Sequence, residues 1–300
     1  MPSMGDGFLG AVDVGRFIVE PFTEYARFDF DGLSAVAEVT VRMLDNAVER
    51  AILAGSANVD LVSRRPIGLG MTGLADALTM RGLRYDAPAG REMAAAVARR
   101  LRDAAYAASA GLARERGACP GFDAGAFLAS GRAGRLPPWL RDRILEGGMR
   151  NLQVTALFPM EKLSVAFADC ASSGTEPSPS WLSSLRAHGE GGFEPYGCEN
   201  RAHRLYRALG HDEKRLPVAF RSAARTGVGA RIEMAGMVAP FVDTPPGKVV
   251  MLPVGAPADA RQDAVLSAWR AGLGMLSVEM QDSVAGNDHK HRSMARPVYS

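Results

Sequence analysis

Apolar residues recur at helical spacing over most of the chain. Leu33, Val36, Ala37, Val41, Leu44 and Val48 fall near a 3.6-residue period, predicting a long helix from Asp31, a candidate cap, to about Leu53. A glycine-rich turn is expected at Gly68–Gly73, followed by a helix through Leu74–Met80 that Gly82 stops. The longest helical signal starts at Pro88, a residue suited to a first turn, and ends at Arg116 before Gly117. Shorter helices are predicted at 123–129, 138–146, 200–209, 217–225, 229–238 and 260–271.

Short β-prone pieces lie between them, at Ala11–Val14, Phe17–Val19, Gln153–Phe158, Leu163–Phe167, Lys248–Leu252 and Met275–Val278. The stretch 172–188, rich in Ser, Pro and Gly, reads as a loop. Isolated strands between helices, without hairpin signals, predict an α/β fold with parallel strands. One unit is expected over residues 1–283, with a polar, flexible tail at 284–300.

Composition narrows the class without naming a chemistry. Of 300 residues, 47% are hydrophobic and 23% charged, which suits a globular core. Thirty-five basic residues against thirty-three acidic ones leave a net charge of +2, which argues against a nucleic-acid partner. No apolar run reaches membrane-spanning length. Cys119, Cys170 and Cys198 are too widely spaced for a disulfide framework or a zinc pair, so a reducing, cytoplasmic setting is expected.

Candidate chemistry is sparse. Gly68-Leu69-Gly70-Met71-Thr72-Gly73 fits a dinucleotide fingerprint, but Arg64, Arg65 and Pro66 precede it where a buried strand belongs. A tight turn with close helix packing explains the glycines better. None of the cysteines has an obvious activating neighbour. No His/Glu pair stands four residues apart on a credible helix, so no metal site is predicted. Asp169, Glu176 and Asp243 are candidate paired carboxylates. The run Asn151–Phe158 leading into Pro159-Met160-Glu161-Lys162 could place a loop against a phosphate, although Glu161 would repel one and Lys162 offers only a flexible point charge.

Several segments in order resemble the large subunit of the adenosylcobalamin (vitamin B12)-dependent ribonucleotide reductases. They include Arg16-Phe17-Ile18-Val19, Asp45-Asn46, Arg65–Asp76, Gly82-Leu83-Arg84-Tyr85-Asp86, Asp103–Ser109, Gly117–Asp123, Arg150-Asn151, Ser172–Pro177, Pro240–Asp243 and Ala268–Leu273. The resemblance runs from about residue 7 to 280 and implies the C-terminal half of a ten-stranded α/β barrel, helix-rich and incomplete by itself. It implies a thiyl-radical reaction that turns a ribonucleotide into a 2′-deoxyribonucleotide, with adenosylcobalamin generating the radical. By resemblance Asn151, Ser173, Gly174, Glu176 and Pro177 lie near the pocket. Pro159, Met160, Glu161, Lys162, Leu163 and Ser164 occupy the substrate-phosphate loop.

The departures fall on the functional elements. The family's finger loop, with its radical cysteine, asparagine and glutamate, would precede Met1. Gly7 stands where the family has a redox cysteine. The phosphate loop, Pro-Thr-Gly-Thr-Ile-Ser in the family, has lost its glycine and two hydroxyls. No catalytic residue is therefore assigned, and no cofactor is expected to bind this chain alone. A reductase-like protein inactive by itself is the first expectation, the C-terminal chain of a split reductase the second, and a nucleotide-binding or regulatory partner of an intact reductase the third. Half a barrel would expose strand edges, so self-association or docking with a chain carrying the N-terminal half is expected.

Overall fold

The computed structural model describes residues 7–158, 164, 169, 171–177, 181–189, 192–244, 248–252, 256–257, 259–273 and 276–280. The chain opens with β1 (Phe8–Asp13), a 3-10 turn at Val14–Phe17, and the short antiparallel pair β2 (Ile18–Val19) and β3 (Arg27–Phe28). Then follow α1 (Phe30–Leu53), α2 (Val59–Arg64), β4 (Ile67–Thr72), α3 (Leu74–Met80), α4 (Pro88–Arg116), α5 (Ala124–Ala129) and α6 (Pro138–Gly147). The remainder comprises β5 (Leu182–Gly189), β6 (Gly192–Glu199), α7 (Arg201–Ala208), α8 (Val228–Val238), β7 (Lys248–Leu252), α9 (Ala260–Arg270) and β8 (Leu276–Met280).

The helices follow their apolar periods. α1 buries Leu33, Ala37, Val41, Leu44 and Val48, each contributing about 1.5–3 kcal/mol where a large side chain is fully buried. Its cap is Asp29 rather than Asp31: the Asp29 carboxylate accepts from Gly32 N at 2.9 Å, and Asp31 lies inside the first turn. Both aspartates precede the apolar run, and periodicity does not choose between them. α4 begins on Pro88 and stops at Gly117, whose φ of 86° suits only glycine comfortably. Its buried alanines let α1, α6 and α8 approach closely.

β1 and β4 pair in parallel, Phe8 opposite Ile67 through Asp13 opposite Thr72. Gly68–Thr72 thus belongs to a strand, not to a turn, and only Gly73, with φ at 74°, turns the chain into α3. The reason is burial on both faces: Ile67–Thr72 is inaccessible throughout, so no polar alternation marks it. The run after Asn151 lies parallel to β4 through the Leu69–Thr155 bridge, and Ala156 bridges in turn to Thr244. β7 and β8 form a second parallel pair.

Parallel pairing therefore holds for these strands, but the described sheets do not close into a ring. β5 and β6 form an antiparallel hairpin where a loop without hairpins was expected. Its Ser, Pro and Gly content hid the strands. The helix expected at 217–225 shrinks to a 3-10 turn at Ala223–Arg225, and the strand expected at Leu163–Phe167 lies largely outside the described residues, as does the tail. The main core joins β1, β4, α1, α3, α4 and α6; a smaller one joins Ile232, Ala235, Leu252, Ala264, Ala268 and Leu273. α8 serves both, with Met234 and Val238 in the first. No helix of the described residues is long and apolar enough to cross a membrane.

Candidate functional site

The C-terminal ends of β1 and β4 meet a loop from far along the chain. Ser172 accepts from Gly73 N at 2.7 Å and from the Thr72 hydroxyl at 2.6 Å through its carbonyl oxygen. Its side-chain oxygen accepts from Ala75 N at 3.1 Å, capping the first turn of α3. Asp76, buried on α3, accepts from Ser172 N at 2.6 Å, Asn200 Nδ2 at 2.8 Å and Ala202 N at 3.1 Å. Carboxylate oxygens removed from water need such donors to replace their lost hydration. One buried acid therefore joins α3, the 171–177 segment and the start of α7.

The rest of that segment is anchored as firmly. Tyr85 donates its hydroxyl to Thr175 O at 2.7 Å, and burial pushes its pKa up. Glu176 accepts from Arg231 Nε at 2.9 Å and Nη2 at 2.6 Å. Gly174 turns at φ 53°, and Pro177 is buried. The hydroxyl of Ser164, the described residue of the Pro159–Ser164 segment, donates to Ala171 O. The other five residues of that segment, Pro159, Met160, Glu161, Lys162 and Leu163, lie outside the described residues.

Asp13, at the end of β1, completes this rim. It accepts from Gly15 N at 3.1 Å, Arg16 Nε at 3.2 Å and Arg201 Nη1 at 2.5 Å. Burial pushes its carboxyl above the usual 3.8, and Arg201 only partly offsets that. A Cβ on Gly73 would collide with the Asp13 carboxylate, so glycine is required there for space as well as for φ. Rigidly held small residues at strand ends can position a polar ligand through backbone groups, but the first-turn amide of α3 at Ala75 is already taken by Ser172.

The structure brings Ser164, Ser173, Gly174, Glu176 and Pro177 to this end, and it does not bring Asn151 or Gly7. Asn151 lies before the strand run, buried, donating to Arg65 O at 3.0 Å and Asp45 Oδ1 at 3.2 Å. Asp45 also pairs with Arg65 at 2.9 Å, Arg116 at 3.4 Å and Arg150 at 3.5 Å. Gly7 precedes Phe8, which is in register with Ile67. Both belong to the N-terminal ends of the parallel strands, separated from Asp13 and Thr72 by six-residue strands of about 20 Å. Cys119 lies at that end too, its amide bonded to Met149 O; the residue is buried, and burial pushes its thiol pKa up.

The candidate carboxylates do not pair with one another. Asp169 binds Arg204, Glu176 binds Arg231, and Asp243 takes Tyr106 Oη at 2.5 Å and Arg132 Nη1 at 3.4 Å. The other oxygen of Asp243 accepts from Val154 N and Thr155 N at 2.9 and 3.1 Å. Sequence reasoning missed Asp13, Ser172, Asn200, Arg201 and Arg231 as anchoring groups, and also missed Glu199–His203. That pair is four residues apart across a strand–helix junction, with 2.9 Å between Oε1 and Nδ1. The spacing was visible; the junction was not. Among the described residues no group of three or more His, Cys, Asp or Glu could hold a metal ion.

The family profile for the ribonucleotide reductase barrel domain matches residues 8–278. The vitamin B12-dependent ribonucleoside-diphosphate reductase of Mycobacterium tuberculosis (strain CDC 1551 / Oshkosh) is 29% identical over 301 aligned residues, covering 93% of this chain and 40% of that protein. Ribonucleoside-diphosphate reductase subunit alpha of Synechocystis sp. is 33% identical over 155 residues, 45% of this chain and 19% of that protein. The vitamin B12-dependent enzyme of Thermoplasma acidophilum is 28% identical over 170 residues, 55% of this chain and 19% of that protein. The chain thus spans 40% of the length of the Mycobacterium tuberculosis relative.

Proposed function

The chain belongs to the ribonucleotide reductase barrel-domain family, and we propose that it is a reductase-like chain that does not reduce a ribonucleotide by itself. Family membership supports the reaction class, ribonucleotide to 2′-deoxyribonucleotide. The observation that carries the reading is a division between the strand ends. The wall that would face a ligand, Ser172–Pro177, is held by Asp76, Tyr85 and Arg231. Among the described side chains thiol chemistry lacks such support: Cys119 is buried with a raised pKa, and Gly7 has no side chain. Losing a redox group removes the chemical step itself rather than some binding energy. Glu161 in the phosphate-loop segment further weakens binding of a substrate phosphate.

A second reading is favoured by the intact anchoring of Ser172–Pro177: the chain supplies one wall of a reductase divided between two polypeptides. The partner would carry the N-terminal half of the barrel and the radical cysteine. Adenosylcobalamin is implied by the relatives, but the described residues form no cradle for it. A cavity of about 910 Å³ lies on the outer helical face between α1, α4 and α6. His203 is held by Glu199, and His211 stacks on Tyr206. No step is therefore assigned to the cofactor here.

The test incubates a ribonucleoside diphosphate, adenosylcobalamin and a dithiol with this chain alone, then with a polypeptide carrying the finger loop. No deoxynucleotide from the chain alone is expected, and any turnover above the protein-free control refutes the proposal. Turnover in the mixture alone establishes the divided enzyme. Calorimetric binding of a nucleotide without turnover in either case assigns a binding or regulatory role.

A further inference from the structure

The cavity of about 910 Å³ runs along the outer face of α4, walled by α1 and α6. α1 packs on β1 and β4 and turns Leu33, Ala37, Val41, Leu44 and Val48 into the core. Its residues Ser34, Glu38 and Arg42, which line the cavity, therefore face away from the strands. Closing the sheet adds strands on the other side of α1 and leaves the cavity, whose walls and floor all belong to this chain, as it is. Its size falls within the ~300–1,000 Å³ of small-molecule sites. A floor of Ala104, Ala107, Ala108 and Gly111 lets a ligand lie close to α4.

Most charges of the lining are matched within the fold. Glu115 takes Arg42 on both oxygens, at 2.7 and 2.8 Å, and Asp103 takes Arg102 at 2.6 and 2.8 Å. Glu38 lies one turn before Arg42 and within its field, and Arg100 reaches Asp31 at 3.5 Å. Arg99 and Arg143 are left over. Arg99 sits over the Phe241 ring. Arg143 has no acid partner among the described residues, and its Nε is buried without an acceptor. Buried donors are nearly always paired, so this one marks a missing acceptor. Gly111 supports that reading. Glycine is unfavourable in mid-helix, but a Cβ here would stand 3.2 Å from Arg143 Nη2, so the missing side chain makes the berth in which the guanidinium lies.

We propose that this cavity binds a small aromatic carboxylate, its anionic group accepting from Arg143 and its ring lying against Trp139. Trp139 lines the same cavity, 56% exposed, four residues before Arg143 on α6. Residues at that spacing share a helix face, so an apolar ring and a guanidinium stand side by side. A carboxylate is planar like the guanidinium and meets it through two parallel hydrogen bonds. One unmatched cation suits this monoanion better than a phosphate dianion. The other free guanidinium, Arg99, starts about 18 Å from Gly111 along α4, too far to share so small an anionic group. This inference does not depend on the reductase reading.

Calorimetric titration of the full chain with 1-naphthoate should give a Kd below about 1 mM. 1-Naphthamide, the same ring without the charge, should bind about tenfold more weakly or worse. Arg143→Gln should weaken naphthoate about tenfold or more without lowering the thermal unfolding midpoint, because the side chain has no partner to lose. An arginine with a purely structural role would do the reverse. Trp139→Leu, at an exposed position, should weaken naphthoate several-fold and carries the test if Arg143→Gln fails to fold. No binding at about 5 mM naphthoate overturns the proposal. So does equal binding of naphthoate and naphthamide, affinity unchanged by Arg143→Gln or by Trp139→Leu, or inorganic phosphate that binds more tightly than naphthoate.

Discussion

Replacing Asp76 by alanine tests whether one buried carboxylate holds the candidate site together. The substitution leaves three donors, Ser172 N, Asn200 Nδ2 and Ala202 N, facing a small void. A buried donor without an acceptor costs about 1–3 kcal/mol, more where the lost partner was charged. Water entering the void would recover part of this, so a net loss of about 3–5 kcal/mol is expected. That is a large fraction of the ~5–15 kcal/mol that keeps a domain folded. Asp76→Asn keeps one acceptor but turns an NH2 toward N–H donors, so it should cost about 2–3 kcal/mol. Urea unfolding followed by circular dichroism gives the loss, and amide exchange at Ser172 and Ala202 localises it. If the alanine variant loses less than about 1 kcal/mol and both amides stay protected, Asp76 is not the hub described.

Tyr106→Phe removes the hydrogen bond to Asp243 but leaves Arg132, Val154 N and Thr155 N in place; a loss of about 1–2 kcal/mol is expected, read by urea unfolding together with faster exchange at Thr155. Gly90→Ala would normally stabilise a helix by about 1 kcal/mol. Here its Cβ meets the backbone carbonyl of Arg84, so thermal unfolding should show a lower midpoint than wild type. Asp13 has a pKa raised above 3.8, chiefly by burial, so in that window the folded state holds a proton that the unfolded state has released. Its contribution to stability is therefore present below 3.8 and lost as pH rises through the folded value. Asp13→Asn should abolish this slope. A wild type that gains stability relative to Asp13→Asn over the same range would contradict the assignment.

The long helices were legible because α1 and α4 carry their periods within single segments. The α/β class and parallel pairing were legible for the same local reason. β4 was not, because a strand covered on both faces leaves no alternation, and its glycines imitate a turn. The hairpin of β5 and β6 was hidden by turn-forming residues inside the strands. For the site, the family resemblance pointed to Ser173, Gly174, Glu176 and Pro177, whereas their supports were invisible. Asp76 meets Ser172 across 96 residues and Asn200 across 124, and nothing local marks such pairs.

Asp243 clamps the backbone of Val154 and Thr155, and Thr244 bridges to Ala156. In kinetic terms this makes the sheet a late structure. Synthesis delivers β1, β4 and the 153–157 run well before the carboxylate that clamps them, at about 5–20 residues per second. For several seconds the nascent chain carries these strands without their clamp, and parallel pairing repays its loop-closure entropy slowly. The residue that aligns the strands in the finished protein thus also sets how long they stay open to aggregation or chaperone capture.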